Sequence, residues 1–404
     1  MNTPFKLFVS AAAALAVAAC SAGGNSSLPG TGGLAPTAQT RYVPQWEAQH
    51  LAKRACNDVR EGYMNCDVLI ENRSSGANPD AYSGWTPPSL QQAYNLPVTQ
   101  GSKKTIVAIV DAFDNPNVAS DLATFRSAFN LGTANFKKFN QQGQQKDYPA
   151  PNSDWGVEID LDVQMVSTSC PKCSVYLVEA TSNNGNDLYT AEKTAAKLGA
   201  TVISNSWGGG QGSASGGSFD QKGILYLASA GDGGYGAQDP ADYDNVVAVG
   251  GTVLQQASKG FNEIIWPDSG GGCSIVAKPS WQKDPKCKSG RTMNDISAVA
   301  QQVEIYDSYP TGGWGTVAGT SISSPLVGGM YGLAGNGSKL TAGENLWKLT
   351  KKQLKKDLHY IKTGNLGGCP QSVQGTYLCN AGTKQFGNYS AGSGWGTPNG
   401  LGAL

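Results

Sequence analysis

The strongest constraint on the fold is a regular alternation of short apolar runs and helix-like stretches from residue 84 onward. The apolar runs are rich in Val and Ile, which is typical of strands buried on both faces. They are KTIVAIVDAF (104–113), SVYLVEA (174–180), ATVISNSW (200–207), ILYLASAG (224–231) and NVVAVGG (245–251). Helix-like stretches lie near 118–129, 155–168 and 185–198, and another follows Ser321. This alternation implies right-handed crossovers and predicts an α/β fold, with a doubly wound, mainly parallel sheet and helices on both faces.

Composition divides the chain into three parts. Residues 1–20 are typical of a signal peptide, because Lys6 precedes the apolar stretch 7–19, which is short for a membrane span. This part ends in VAAC, which is similar to a bacterial lipobox, so Cys20 is a candidate for lipidation; the alternative is an ordinary signal peptide in which Cys20 is incidental. We interpret residues 21–83 as a tether and short N-terminal segment and 84–404 as one domain.

The overall composition indicates a compact secreted protein. Lys and Arg together number 30, as do Asp and Glu, so nothing marks the chain as a binder of nucleic acid. Charged residues make up only 15% of the chain, while glycine reaches 53 residues, which suits a loop-rich secreted protein better than a disordered one. We expect a monomer that is secreted or held in the cell envelope, anchored to the membrane surface if Cys20 carries lipid.

Nine cysteines minus Cys20 leave eight, an even number that favours disulfides in an oxidising compartment. They occur as close neighbours: Cys56 with Cys66, Cys170 with Cys173, Cys273 with Cys287, and Cys369 with Cys379. Nearest-neighbour pairing is our prediction, although eight cysteines allow 105 connectivities. A redox or metal half-site is the alternative for CPKC (170–173). We favour a structural role there, because the motif leads into a predicted strand and the chain has no second CxxC.

A serine is the first candidate functional residue. The stretch GTSISSP (319–325) puts Ser321 at the start of a predicted helix, where the positive end of the helix favours developing negative charge. A Gly-Thr-Ser loop alone could be purely structural. The usual base that activates such a serine is histidine. The chain has only His50 and His359, and neither lies in a recognisable catalytic setting, so a different base is needed.

Two carboxylates in WGVEIDLDVQMVS (155–167) are candidates for that base. Glu158 and Asp162 are four residues apart, which on a helix sets both on one face within hydrogen-bonding reach. Two paired carboxyls cannot both ionise cheaply, so one pKa rises and the pair titrates as a unit. A solvated acidic face is the ordinary alternative, and we assign Asp160, which points elsewhere, to such a face.

A third carboxylate ends a predicted buried strand, in YLASAGDGGYG (226–236). Asp232 lies there in a glycine-rich turn, where an aspartate is commonplace and by itself means little. An ionised carboxylate cannot donate a hydrogen bond to an oxyanion, but a protonated one can. Together with a carboxylate base, Asp232 would complete a site that works at acidic pH.

These segments, in this order, resemble those of the sedolisin family of serine-carboxyl peptidases, which have a subtilisin-like fold. The resemblance covers residues 84–404 and includes GWTPPSLQQAYNLP (84–97), IVAIVDAFDNPNVASDL (106–122), SNSWGG (204–209) and DISAVA (295–300). It implies a secreted endopeptidase that acts on proteins or peptides. It also implies the site roles: Ser321 as nucleophile, Glu158 as general base, Asp162 as its partner and Asp232 as oxyanion stabiliser.

The same resemblance bears on two further positions. Asp111 ends the strand where subtilisins hold the aspartate of their triad, and since there is no histidine to orient we interpret it as structural. The stretch SNSWGGG (204–210) is expected to offer an extended edge, through Ser206, Trp207 and Gly208, to which a peptide substrate adds as a strand.

The chain departs from the family pattern in two places. The family's long propeptide has only a short counterpart before residue 84, which leaves activation by autocleavage open. The family also has a C-terminal calcium site, but the positions of its aspartates here fall on Tyr360 and near Ser390 or Gly396. Calcium needs six or more oxygen ligands, usually with carboxylate charge, so we expect weak calcium binding or none and no required cofactor.

Two rival functions use the same fold. One is a catalytically silent surface binding protein, against which the complete set of Ser321, Glu158, Asp162 and Asp232 argues. The other is an esterase that uses the same nucleophile, although the chain lacks a GxSxG elbow around Ser321.

Overall fold

The computed structural model describes residues 42–58, 60–72, 82–212 and 216–404. The predicted signal peptide, Cys20 and the tether through residue 41 lie outside the described residues. Within those residues, no helix has the length and apolar character needed to cross a membrane.

The helices are α1 (Gln45–Ala48), α2 (Pro87–Ala93), α3 (Val118–Ala128), α4 (Ser153–Ser169), α5 (Gly185–Lys197), α6 (Thr320–Ala334), α7 (Glu344–Trp347) and α8 (Lys351–Asp357). The first nine strands are β1 (Ala52–Arg54), β2 (Asn65–Cys66), β3 (Leu69–Glu71), β4 (Ile106–Ala112), β5 (Asn135–Asn140), β6 (Ser174–Ala180), β7 (Val202–Asn205), β8 (Trp207–Gly208) and β9 (Leu225–Ser229). The others are β10 (Val246–Gln256), β11 (Phe261–Ile265), β12 (Cys273–Ala277), β13 (Gly290–Thr292), β14 (Ile296–Val299), β15 (Val303–Asp307), β16 (Gly313–Ala318), β17 (Leu358–His359) and β18 (Thr397–Pro398).

The predicted parallel sheet forms the centre of the molecule. Its strand order is β11-β10-β9-β7-β4-β6-β5, and β14 pairs with β10 outside this path. Every pair in it is parallel except β10 with β11. All five apolar runs identified in the sequence are strands of this sheet, and the four helix-like stretches are α3, α4, α5 and α6. The α/β prediction is therefore confirmed.

Helices cover both faces of the sheet. On one face α6 packs so closely that a Cβ at Gly332 would lie 2.4 Å from the side chain of Val107 in β4. Gly199, which follows α5, faces the side chain of Ile106, the residue before Val107 in β4. Consecutive residues of a strand point to opposite faces, so α5 and α6 lie on opposite sides of β4.

Close packing of α4 on α6 determines where the candidate residues meet. Almost all of α4 is buried, from Trp155 to Ser169. At the contact, a Cβ on Gly329 of α6 would lie 2.0 Å from the Ser169 hydroxyl and 3.0 Å from the Val166 carbonyl oxygen. Only a glycine lets the helices approach this closely, which brings the acidic face of α4 up to the start of α6.

The N-terminal segment is part of the same compact unit, which spans residues 41–404 and so begins before residue 84. Strands β1, β3, β16 and β15 form an antiparallel sheet in that order. Strand β16 leads directly into Ser321, and β2 pairs with β8 beside it. The domain predicted over 84–404 thus carries an additional N-terminal part that reaches the candidate site.

Four disulfides join the cysteine pairs as predicted: Cys56–Cys66, Cys170–Cys173, Cys273–Cys287 and Cys369–Cys379. The nearest-neighbour pairing is confirmed. The CPKC motif closes the turn between α4 and β6, consistent with its expected structural role.

Candidate active site

Ser321 lies in the first turn of α6, immediately after the sharp bend at Gly319, whose φ is 124°. Its side chain is fully buried. The Ser321 hydroxyl donates a hydrogen bond to Glu158 Oε2 at 2.8 Å and lies 3.2 Å from the carbonyl oxygen of Ser206. The sequence prediction named Glu158 as the base, and the structure brings its carboxylate into hydrogen-bonding contact with the serine.

Glu158 and Asp162 form a buried acidic pair one helical turn apart. Burial raises the pKa of Glu158 well above its usual range, and the nearby charges of Asp162 and Asp111 raise it further. Burial likewise raises the pKa of Asp162, whose Oδ1 accepts a hydrogen bond from the Ser206 hydroxyl at 2.7 Å. Glu158 Oε1 and Asp162 Oδ2 are both buried, and neither has a hydrogen-bond partner among the described residues. If the two carboxyls share one proton, the pair carries a single negative charge.

Asp111 lies beside this pair, at the end of β4. Burial raises its pKa to about 8, and within the described part of the chain neither of its carboxylate oxygens has a hydrogen-bond partner. Its structural interpretation stays a prediction, but the residue is close enough to affect the titration of Glu158 and Asp162.

Asp232 lies on the other side of Ser321, in the turn after β9. Its Oδ1 accepts hydrogen bonds from the Thr320 backbone N–H at 2.8 Å and from the Thr320 hydroxyl at 2.9 Å. Oδ2 is buried and has no hydrogen-bond partner among the described residues. Burial raises the pKa of Asp232 well above its usual range, and the charge of Asp67 adds to the effect. A protonated Asp232 therefore has an Oδ2–H that is free to donate.

The predicted substrate edge already carries a strand of the chain itself. In the antiparallel pair of β2 and β8, Asn65 is opposite Gly208 and Cys66 is opposite Trp207. The next residue continues the ladder, because the Asp67 N–H donates to the Ser206 carbonyl oxygen at 3.0 Å. The three residues predicted to bind substrate thus lie beside an extended segment of the chain itself, and their role in substrate binding stays a prediction.

The expectation that Asp160 lies on a solvated face is wrong. The side chain is fully buried, and Asn115 donates to its Oδ2 at 2.6 Å. Helix α4 contacts α6, α3 and β15, so none of its faces is left to solvent at this level. Asp160 forms a carboxylate cluster with Asp121 and Asp307, whose charges add to the effect of burial in raising its pKa well above the usual range.

Sequence analysis missed two residues of the site. Thr320 orients Asp232 with two hydrogen bonds, and its only signal in the sequence is its place just before the serine. Asp67 contacts Ser321 through its backbone, because the Ser321 N–H points to the Asp67 carbonyl oxygen at 3.4 Å. The sole hint was an aspartate between a cysteine and an apolar run in NCDVLI (65–70).

The residues at the family's calcium position do not suit that ion. Gly396 packs against the carbonyl of His359 and close to Tyr360, so the two predicted segments do come together. They offer a phenol at Tyr360 and a hydroxyl at Ser390, which shares a 2.8 Å hydrogen bond with Ser393. Neither group supplies the negative charge that calcium usually requires.

Comparison with known proteins identifies similar chains. The sequence model of the subtilase family, Peptidase S8, matches residues 132–396. Sedolisin from Pseudomonas sp. (strain 101) is 25% identical over 383 residues, which cover 83% of this chain and 61% of that protein. Kumamolisin from Bacillus sp. (strain MN-32) is 27% identical over 373 residues, which cover 83% of this chain and 64% of that protein. Human tripeptidyl-peptidase 1 is 24% identical over 372 residues, which cover 78% of this chain and 63% of that protein. The chain spans less than two thirds of the length of these relatives.

Solved structures agree on the fold. Pseudomonas sedolisin, a serine-carboxyl proteinase complexed with two molecules of pseudo-iodotyrostatin, has a TM-score of 0.64 at 24% identity, covering 79% of this chain and 96% of that one. A psychrophilic protease has a TM-score of 0.51 at 18% identity, covering 79% and 99%. The predicted subtilisin-like architecture is therefore confirmed.

Proposed function

The chain belongs to the subtilase family, and from that premise we propose that it is a serine-carboxyl endopeptidase that hydrolyses peptide bonds at acidic pH. The observation that carries this proposal is the 2.8 Å hydrogen bond from the Ser321 hydroxyl to Glu158. In this fold a serine at the start of α6 needs a base, and the base that contacts it here is a carboxylate. The similarity to sedolisin and kumamolisin supports the same conclusion.

The proposed acylation step uses both sides of Ser321. The serine oxygen attacks the substrate carbonyl carbon while Glu158 takes the hydroxyl proton, and Asp162 shares the charge. The developing oxyanion accepts hydrogen bonds from the Ser321 N–H and from protonated Asp232. Glu158 then gives the proton to the leaving amine, and the peptide bond breaks. Water hydrolyses the acyl-enzyme by the same steps in reverse.

An acidic working range follows from these roles. Asp232 must hold its proton to donate, so activity is lost as rising pH removes that proton. The Glu158–Asp162 pair must carry one negative charge to act as base, so activity is also lost once falling pH protonates both carboxyls. The result is a bell-shaped profile whose two limbs belong to different groups.

The remaining properties are proposed on sequence and composition. Four disulfides support an oxidising environment, and with the predicted signal peptide they favour a secreted or envelope protein, anchored through Cys20 if that residue is lipidated. Substrates are proteins or peptides, which bind as a strand along Ser206, Trp207 and Gly208. We propose a monomer with no required cofactor.

The direct test is cleavage of a denatured protein substrate by the purified chain and by Ser321→Ala. Ser323→Ala is the matched control, because Ser323 is buried on the same helix but donates to the carbonyl oxygens of Ala298 and Val299 instead of to a carboxylate. We expect cleavage with Ser323→Ala and none with Ser321→Ala. Equal cleavage by both variants would contradict the proposed nucleophile. An inactive chain that still binds protein ligands would instead support the silent binding protein.

A further inference from the structure

Positive charge is concentrated in two segments of a chain whose total charge is balanced. The segment AKPSWQKDPKCKSGR (277–291), which joins β12 to β13, contains five basic residues and one acidic residue. The segment ENLWKLTKKQLKKD (344–357), which forms α7 and α8, contains five basic residues and two acidic ones. Because the whole chain has 30 residues of each sign, the remainder carries a net negative charge. The total charge therefore conceals two local excesses of positive charge.

Helix α8 presents its lysines on one face. Lys351 and Lys355 are one helical turn apart, as are Lys352 and Lys356, and all four residues are exposed. The half-buried Leu354 lies on another side of the helix and packs against the core. Like charges four residues apart repel each other, and positive charge in the first turn, at Lys351 and Lys352, opposes the helix dipole. This pattern destabilises α8 taken by itself, which indicates that the lysines serve a contact outside the domain.

Contacts between aromatic side chains join the two segments. The ring centroids of Trp281, in the first segment, and Trp347, in α7, lie 6.0 Å apart. Arg291 forms a buried ion pair of 2.6 Å with Asp295, which also accepts a hydrogen bond from Trp347 Nε1 at 2.8 Å. Helix α8 begins four residues after Trp347. The lysines of the first segment and those of α8 therefore lie on neighbouring parts of the surface.

Six of these lysines have no acidic partner in the described part of the chain. The acidic residues of the two segments each lie beside a different lysine: Asp284 beside Lys278 at 2.7 Å, Glu344 beside Lys348 at 2.7 Å, and Asp357 beside Lys356 at 3.6 Å. The exposed lysines left unpaired, which we call the basic face, are Lys283, Lys286, Lys288, Lys351, Lys352 and Lys355. Protein surfaces ordinarily mix charges of both signs, so a field of one sign suits the attraction of an oppositely charged partner.

We propose that the basic face binds the headgroups of an anionic phospholipid membrane. A cluster of lysines, half of it on an amphipathic helix, is the pattern that attracts negatively charged lipid surfaces. Lysine is a flexible point charge, so it neutralises phosphate groups without requiring a fixed geometry. Trp281 and Trp347 lie half-buried between the two groups of lysines, and tryptophan is enriched where proteins meet the membrane interface.

This surface goes beyond the peptidase activity and does not depend on it. The sequence predicts a signal peptide and a candidate lipidation site at Cys20, which would bring the chain to a membrane. Stable attachment commonly combines a lipid with a basic patch, because the two contributions act together. Lipid at Cys20 would hold the chain at the membrane, while the basic face would determine which surface of the domain meets it.

The experiment measures sedimentation of the full chain with two kinds of vesicle. One contains phosphatidylglycerol and phosphatidylcholine in equal parts, and the other contains phosphatidylcholine alone. Every form of the chain carries Cys20→Ser, so that no attached lipid contributes. The ratio of the two partition coefficients measures the preference for negative headgroups, because apolar binding is common to both vesicles. We expect a preference of at least about tenfold at low ionic strength, which high salt should remove.

Two triple variants with the same change in total charge locate the contact. The first replaces the lysines of the basic face on α8: Lys351→Gln, Lys352→Gln and Lys355→Gln. The control replaces exposed lysines on and beside α5, across the sheet from α6: Lys146→Gln, Lys193→Gln and Lys197→Gln. Attraction to a charged lipid surface falls off within a Debye length, so lysines on another surface contribute little. The first variant should bind the anionic vesicles at least about tenfold more weakly than the wild type, and the control less than about twofold more weakly.

Three results would overturn the proposal. They are equal partition of the wild type into both kinds of vesicle, equal losses in the two triple variants, and binding of soluble dextran sulfate as tight as binding of the anionic vesicles. The last result would indicate an anionic polymer as the partner. Thermal unfolding checks that both variants fold. If the α8 variant does not fold, Lys283→Gln, Lys286→Gln and Lys288→Gln together carry the same comparison. Because no readout uses substrate cleavage, failure of the proposed peptidase activity would leave this test unaffected.

Discussion

Thr320 and Asp232 are joined by two hydrogen bonds to a single oxygen: the Thr320 N–H and hydroxyl both donate to Asp232 Oδ1, at 2.8 and 2.9 Å. This arrangement fixes the carboxyl and leaves Oδ2 without a partner in the described part of the chain. Oδ1 is therefore the oxygen that accepts hydrogen bonds, and Oδ2 is the oxygen that can carry a proton. The role of Asp232 in stabilising an oxyanion can be tested through that distinction.

We predict that Asp232→Asn keeps much of the activity and extends it to higher pH. The amide oxygen can accept from Thr320 while the amide nitrogen takes the place of Oδ2 and donates at every pH. Asp232→Leu, which cannot donate, should lose about 10²- to 10³-fold in kcat. The measurement is kcat against pH for both variants. If Asp232→Asn does not shift the alkaline limb of the pH profile, another group controls that limb.

Stability should fall as pH rises, because buried carboxyls hold their protons in the folded state. Asp111 has a folded pKa raised to about 8 by burial, against an unfolded value of about 3.9. The folded chain thus binds more protons, and stability is lost between about pH 4 and 8, by up to about 1.4 kcal/mol per pH unit for this group. Urea unfolding should show a flatter pH slope in Asp111→Asn. Asp147→Asn, at an exposed site, should keep the wild-type slope.

Gly329→Ala should destabilise the domain by separating α4 from α6. The added methyl group would lie 2.0 Å from the Ser169 hydroxyl and 3.0 Å from the Val166 carbonyl oxygen. Overpacking of this kind costs about 1–3 kcal/mol, and it should also reduce kcat because Glu158 moves away from Ser321. Gly315→Ala in β16, where a Cβ would meet nothing within 4 Å, is the control for both readouts. A fully stable and active Gly329→Ala would mean that this helix contact does not position the base.

Removal of calcium should change neither stability nor activity. The positions that would hold the ion carry Tyr360 and Ser390, whose hydroxyls lack carboxylate charge. Thermal unfolding and substrate cleavage measured with and without a calcium chelator provide the check. A melting temperature that drops on chelation and returns with added calcium would show a site supplied by other residues.

The sequence predicted those parts of the molecule that local patterns determine. Short runs such as IVAIVDA are apolar on both faces, which identified β4 and its neighbours as a buried parallel sheet. Glu158 and Asp162 could be paired from their spacing alone, because one helical turn brings them to the same face. Neighbouring cysteines likewise paired as their proximity along the chain suggested.

The rest depends on contacts between distant segments. Asp160 was misplaced because its burial requires α3 and β15 to cover the far side of α4, which no local pattern records. Asp67 reaches Ser321 only because β3 pairs with β16 and β2 with β8. A short polar segment before residue 84 carries no periodic signal of these pairings. Its place in the cleft became visible only in the structure.

The measurement that tests the central claim most directly is the pH profile of substrate cleavage from about pH 3 to 8 for Glu158→Gln against the unsubstituted chain. With Glu158 present we predict a bell-shaped profile with its optimum below neutrality. With glutamine, which cannot take the proton of Ser321, a folded protein should show no cleavage at any pH. A Glu158→Gln variant that keeps the rate and the profile would show that a carboxylate at position 158 does not activate the serine.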